Sequence, residues 1–213
     1  MAKAIALTGF SALSLFAAAP AQAVILDFQS LEVVGMSTPG VNSPYTENGF
    51  IISNPRISYF GTLDRRYQGS TALFAASTFT PTISLAQVGN GSFTLTSIDL
   101  TDLNGDGIDE TYKNVTVSFT GLRTDNSTIT QAFTTDALRG FQTFNFSNFT
   151  NLVSVDWNQD APFHQFDNIN VTPTNATEIP EPFTMLGTIT AAGFAAAFKR
   201  KLAKTQKDNK DIV

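Results

Sequence analysis

The chain has 213 residues, enough for one domain of ordinary size with processing segments at its ends. Charged residues make up 15%, against roughly 25% in an average soluble domain, and Ser, Thr, Asn and Phe take their place. The lack of cysteine and the single histidine exclude disulfides, thiolate zinc sites, cysteine nucleophiles and histidine-rich metal centres, and 14 acidic against 6 basic residues over 24–172 make a poor nucleic-acid surface.

Residues 1–23 read as a secretory signal peptide. Lys3 supplies a minimal positive start, Ile5 to Ala19 an apolar stretch, and Pro20 a helix break. Ala21 and Ala23 flank Gln22 in the small-x-small pattern that signal peptidase accepts, so the mature chain is expected to begin at Val24.

From 24 to 172 the hydrophobic period is two. Val115, Val117 and Phe119 alternate with Thr116, Ser118 and Thr120, and Val153, Val155 and Trp157 alternate with Ser154 and Asp156. Further strands are expected at 24–29, 49–53, 57–60, 71–75, 82–86, 92–100, 128–134, 141–146 and 166–171, separated by Gly, Asn, Asp and Pro turns. No segment sustains a helical period. This pattern predicts an all-β domain, a β-sandwich of jelly-roll-like type, with no internal repeat.

Three groups of side chains carry candidate chemistry. Asp102, Asn104 and Asp106, followed by Gly107 and then Glu110, have the spacing of the first half of a calcium loop, although Lys113 stands where a bidentate Glu completes that motif. The competing reading is a hairpin turn between strands 92–100 and 112–120. Asp167 shares the phase of Ile169 and Val171, which points it toward the core edge. The first and last strands of a jelly roll are often neighbours, so Asp27 and Asp167 are a second candidate pair of calcium ligands, with a hydrogen-bonded strand-end carboxylate as the favoured competing reading. Trp157, Asp160 and His164 supply the aromatic and polar groups of a sugar site, with Trp157 also in phase for the core. No G-x-S-x-G elbow accompanies His164, so no catalytic residue is assigned.

Residues 173–178 form a polar linker. Pro180, Glu181 and Pro182 then precede an apolar helix expected over 183–198, ~24 Å long at 1.5 Å per residue, and Lys199, Arg200 and Lys201 follow. Such a helix would anchor the chain in a membrane, with the basic cluster cytoplasmic and the β-domain outside. Gly187, Ala191 and Ala195 share one face of it.

The order of Pro-Glu-Pro, apolar helix and basic cluster over 179–204 resembles the PEP-CTERM sorting signal; the basic polar tail 205–213 is longer than that pattern requires. The resemblance implies processing by an exosortase at the inner membrane and a final place in the cell envelope, on the surface or in the extracellular matrix. The domain before it is similar to jelly-roll modules that precede such signals, many of them related to carbohydrate-binding domains; Ile25, Leu26, Asp27 and Phe28 at its start and Phe166 to Val171 at its end carry that likeness. The expected function is therefore that of an exported, non-catalytic surface protein whose β-sandwich is of binding or structural type, with a glycan of the surface or matrix as the candidate partner. The alternatives are a polysaccharide-acting enzyme and a purely structural matrix protein. Apart from calcium, no cofactor is expected.

Overall fold

A computed structural model describes residues 21–76, 82–103, 112–160 and 163–174. In chain order the strands are β1 (Val24–Leu26), β2 (Tyr45–Glu47), β3 (Phe50–Ser53), β4 (Ile57–Ser58), β5 (Phe74–Ala75), β6 (Thr82–Gln87), β7 (Phe93–Asp102), β8 (Thr116–Arg123), β9 (Thr128–Thr134), β10 (Gln142–Asn145), β11 (Leu152–Asn158) and β12 (His164–Pro173). Short 3-10 turns at Gln29–Leu31 and Val88–Asn90 are the helical elements among the described residues, where no helix is long and apolar enough to cross a membrane.

Antiparallel pairing arranges ten of these strands in two layers. One runs β1-β12-β7-β10 and the other β2-β3-β6-β11-β8-β9. They form one hydrogen-bonded sheet because Phe93 of β7 pairs with Leu152 of β11 where the layers meet. The described residues form an all-β sandwich. β4 and β5 form a separate two-stranded ribbon, and Leu73 extends from it to exchange two backbone hydrogen bonds with Phe166 of β12.

The period-two pattern explains the burial. Ile83 and Leu85 of β6, Val117 and Phe119 of β8, Val155 and Trp157 of β11, and Leu95, Ile98 and Leu100 of β7 are all buried. Between the layers runs a chain of aromatic contacts. Phe28 meets Phe166 at 6.0 Å, Phe166 meets Trp157 at 5.1 Å, Trp157 meets Phe119 at 5.4 Å, and Phe119 meets Phe146 at 5.1 Å. The buried phenylalanines of the described residues are thus core material, each ring contributing roughly 1.5–3 kcal/mol by burial, with a further ~0.5–1.5 kcal/mol per well-placed pair.

Two sequence expectations need correction. The strands on either side of the Asp-rich segment do not form a hairpin with each other. β7 has β12 along one edge and β10 with Leu152 along the other, so both its edges are occupied. β8 instead lies between β11 and β9, and the connection after β7 changes layers. Asp167 also does not share the face of Ile169. The β7–β12 register shifts between Asp167 and Asn170, and Asn168 adopts φ 47° at that bulge. The shift places Asp167 on the outer face, where the 59–73 segment covers it.

Candidate functional site

The residues expected to carry chemistry fall in different places. Ala21 and Ala23 are surface-facing residues directly before β1, whose first residue is Val24. Pro180, Glu181, Pro182, Lys199, Arg200 and Lys201 lie outside the described residues, as do the 183–198 run and Asn104, Asp106 and Glu110.

Asp102 ends β7 and is 1% exposed. Its Oδ2 accepts the Lys113 backbone N–H at 2.6 Å, closing the base of the 103–112 connection, while Oδ1 has no hydrogen-bond partner. β1 pairs with β12 as the sequence suggested, which brings Asp27 toward Asp167. Asp27 is exposed and its Oδ1 accepts the Gln29 backbone N–H, whereas Asp167 is fully buried. The Ser70 hydroxyl donates to Asp167 Oδ2 at 2.5 Å and the Asn168 N–H to Oδ1 at 2.8 Å. Burial, with Asp99 and Asp27 as like-charged neighbours, pushes the Asp167 carboxyl up to about 7 against these two hydrogen bonds. Asp99 is its register partner on β7, and Asn168 Nδ2 donates to Asp99 Oδ2 at 2.9 Å. Among the described residues no three His, Asp or Glu side chains are grouped so that they could hold a metal ion.

Trp157 and His164 belong to the core, at 2% and 1% exposure. Trp157 is wedged between Phe119 and Phe166, so the stacking role expected of it has no open ring face to act from. His164 faces Asp102 across the β7–β12 ladder, and burial lowers its pKa to about 3. It is a neutral core residue rather than a proton-transfer group. Asp160 remains exposed beyond the end of β11.

A concave feature that sequence reasoning missed has a lining of mixed polar and apolar character. An open cleft of about 680 Å³ lies between the 41–43 segment, the end of β3 and the start of β6. Asn42, Ser43, Ser53, Asn54, Thr82 and Ser84 line it together with Val41 and Pro55, and no charged residue does. Asn54, 3% exposed, fixes its walls. Its N–H donates to Ser43 Oγ at 3.3 Å, its Nδ2 donates to the Thr82 carbonyl at 2.7 Å, and its Oδ1 accepts the Arg56 N–H at 2.8 Å.

From the cleft floor a row of small polar side chains crosses the outer face of the larger layer. Ser53, Ser84, Asp156, Thr120 and Thr130 are successive register partners on β3, β6, β11, β8 and β9. The Ser84 hydroxyl donates to Asp156 Oδ1 at 2.5 Å, and Thr82 Oγ1 donates to Asn158 Oδ1 at 2.8 Å. The sequence signal for this surface was the Ser/Thr half of each alternating strand, which pattern reading assigns only to solvent.

No family model matches the chain, and no curated protein matches it. Among solved structures, a family 29 carbohydrate-binding module overlays at 12% identity and TM-score 0.40, over 78% of this chain and 98% of that one. A mutant of such a module complexed with cellulohexaose overlays at 12% identity and TM-score 0.40, over 73% and 93%. Another, complexed with mannohexaose, gives 15% identity and TM-score 0.34, over 77% and 100%. An overlay at this level is looser than a shared fold.

Proposed function

We propose that the chain is an exported, non-catalytic cell-envelope protein, sorted by its PEP-CTERM-like tail, whose jelly-roll-like sandwich holds a neutral glycan of the surface or matrix in the Asn54 cleft. The observation that carries the binding role is the lining of that cleft. Hydroxyl and amide groups offer both donors and acceptors to sugar hydroxyls, and no charged lining residue selects an ionic ligand. The row leading from it, Ser and Thr side chains with Asp156 at its middle, prolongs the hydroxyl chemistry over several strands, as an extended polymer requires. Without an aromatic platform the affinity is modest, in roughly the 10⁻⁴–10⁻³ M range.

Export and sorting rest on the small-x-small pattern at Ala21 and Ala23 and on the ordered elements of 179–204. Exosortase and signal peptidase are the processing partners of this reading, and the 183–198 helix is its membrane anchor. Calcium binding at the Asp102–Glu110 segment belongs to the same proposal. The bare, buried Asp102 Oδ1 supports it, as an acceptor oxygen facing no donor.

A glycan array and calorimetry on the exported chain test the site, with Ser53→Arg as the variant that fills the cleft. Binding to neutral glucans, mannans or the organism's own matrix polysaccharide should vanish in Ser53→Arg while the melting temperature holds. Binding that survives the substitution would remove the cleft from the proposal. A clean negative array with folded protein would assign the chain to the purely structural class.

A further inference from the structure

The edges of the larger layer differ in how they are protected. β2 forms one edge with three residues directly after Pro44. β9 forms the other with seven, Thr128-Ile129-Thr130-Gln131-Ala132-Phe133-Thr134, and among the described residues it pairs only with β8. Natural sheets blunt long edges with charges, prolines or bulges. β9 has no charged residue and no proline, and its register with β8 is unbroken.

Hydrogen bonds at the two ends of the β8–β9 ladder fix which backbone groups are free. Arg123 donates to Ser127 at one end and Thr135 to Val115 at the other. Bonded and non-bonded pairs alternate in an antiparallel ladder, so the bonded pairs between these ends are Gly121–Ile129, Phe119–Gln131 and Val117–Phe133. The N–H and C=O groups of Thr128, Thr130, Ala132 and Thr134 therefore point away from β8, and all four side chains are exposed.

We infer that β9 is a self-association edge, on which a second copy of this chain adds its own β9 antiparallel about a two-fold axis through Gln131. The sequence of the strand fits its own reverse. In that register Thr128 lies opposite Thr134 of the second copy, Ile129 opposite Phe133 and Thr130 opposite Ala132. The outward-pointing residues are the ones that become bonded pairs, giving about eight new backbone hydrogen bonds. An isologous contact of this kind closes on itself as a dimer. Ile129 and Phe133, half-buried in one copy, cover each other's flanks. With no charge on the strand, no like charges meet.

Because the chain has no cysteine, introduced thiols report the register without interference. Thr130→Cys and Ala132→Cys are made separately in the full chain, purified in mild detergent, then oxidised alone and as an equimolar mixture. Opposed residues of a bonded pair lie about 5.5 Å apart at Cα, within disulfide reach, whereas like residues are diagonal and beyond it. The mixture is expected to cross-link at least about tenfold faster than either variant alone. Association through the apolar tail would show no such preference, so equal rates overturn the inference. Sedimentation velocity gives the second arm. Ala132→Pro removes only an outward N–H and should make the chain monomeric, as should Ala132→Lys, which leaves the backbone intact if the proline variant melts early. A dimer that persists in both variants, or a wild-type chain that is monomeric at every concentration, refutes the β9 edge.

Discussion

At the scale of single residues, two buried titratable groups pull stability in opposite directions with pH. Asp167 has its carboxyl pushed up to about 7 from an ordinary value of 3.8. The folded state therefore holds that proton more tightly than the unfolded chain, and stability falls as pH rises from about 4 to 7. His164 is pushed down to about 3 from 6.5, so the unfolded chain takes up its proton first and stability falls as pH drops from 6.5 to 3. Thermal melts should show Asp167→Asn more stable than wild type at pH 8, by roughly 1–3 kcal/mol, with the advantage gone at pH 4. A gain that persists unchanged at pH 4 would mean the carboxyl is not the cause. Gly121 gives a steric prediction at the same scale. A Cβ there would stand 2.7 Å from Leu152 Cδ2 and 3.1 Å from Ile129 Cγ2, between β11 and β9. Gly121→Ala should cost about 1–3 kcal/mol through overpacking, read as a melting temperature lower by several degrees. Trp157→Ala should cost ~3–5 kcal/mol. Because Trp157 is buried, any glycan binding should survive that change in whatever fraction remains folded.

At the scale of elements, β9 was legible to the residue because Ile129 and Phe133 lie in one phase of a Thr-rich run and a tight Asp125-Asn126-Ser127 turn precedes it. β2 was not legible. It has three residues, and a strand that short carries too little pattern to stand out from loop. The β7–β8 hairpin was misread for a different reason. Turn chemistry between two strands says that the chain turns, and only the occupancy of both β7 edges says that it turns into the other layer. Asp167 failed similarly, since one bulge at Asn168 inverts the phase of every residue on one side of it. Half of the candidate site was written in the Ser and Thr positions of β3, β6 and β11. The other half, the closure of the cleft by Asn54, depends on contacts 11 and 28 residues away in sequence, which no local pattern encodes. The calcium prediction also belongs to this scale. Calcium should raise the melting temperature with a dissociation constant in roughly the 10⁻⁴–10⁻³ M range, and both Asp102→Asn and Asp106→Ala should abolish the shift. An unchanged melt with calcium would leave the segment after β7 as a plain connection.

At the scale of the whole molecule, the proposed order of events is export, membrane retention and sorting. N-terminal sequencing of exported chain should read Val24 first, and retention of residues 1–23 would contradict the signal. Neutral replacements of Lys199, Arg200 and Lys201 should impair retention or orientation, scored by fractionation and protease accessibility; unchanged location would contradict the tail assignment. The position of β12 bears on timing. It is the last strand of the domain to be synthesised, yet it lies between β1 and β7 and meets the 59–73 segment through Ser70 and Leu73. A chain threaded N-terminus first therefore emerges with β1 lacking its partner and one edge of β7 bare until residues 164–173 follow. Nascent chains halted before residue 164 should remain protease-sensitive along their whole emerged length, and resistance should appear in one step once β12 has crossed. On the proposed export route the fold would thus act as a delayed latch, which keeps the domain open and threadable until β12 has crossed.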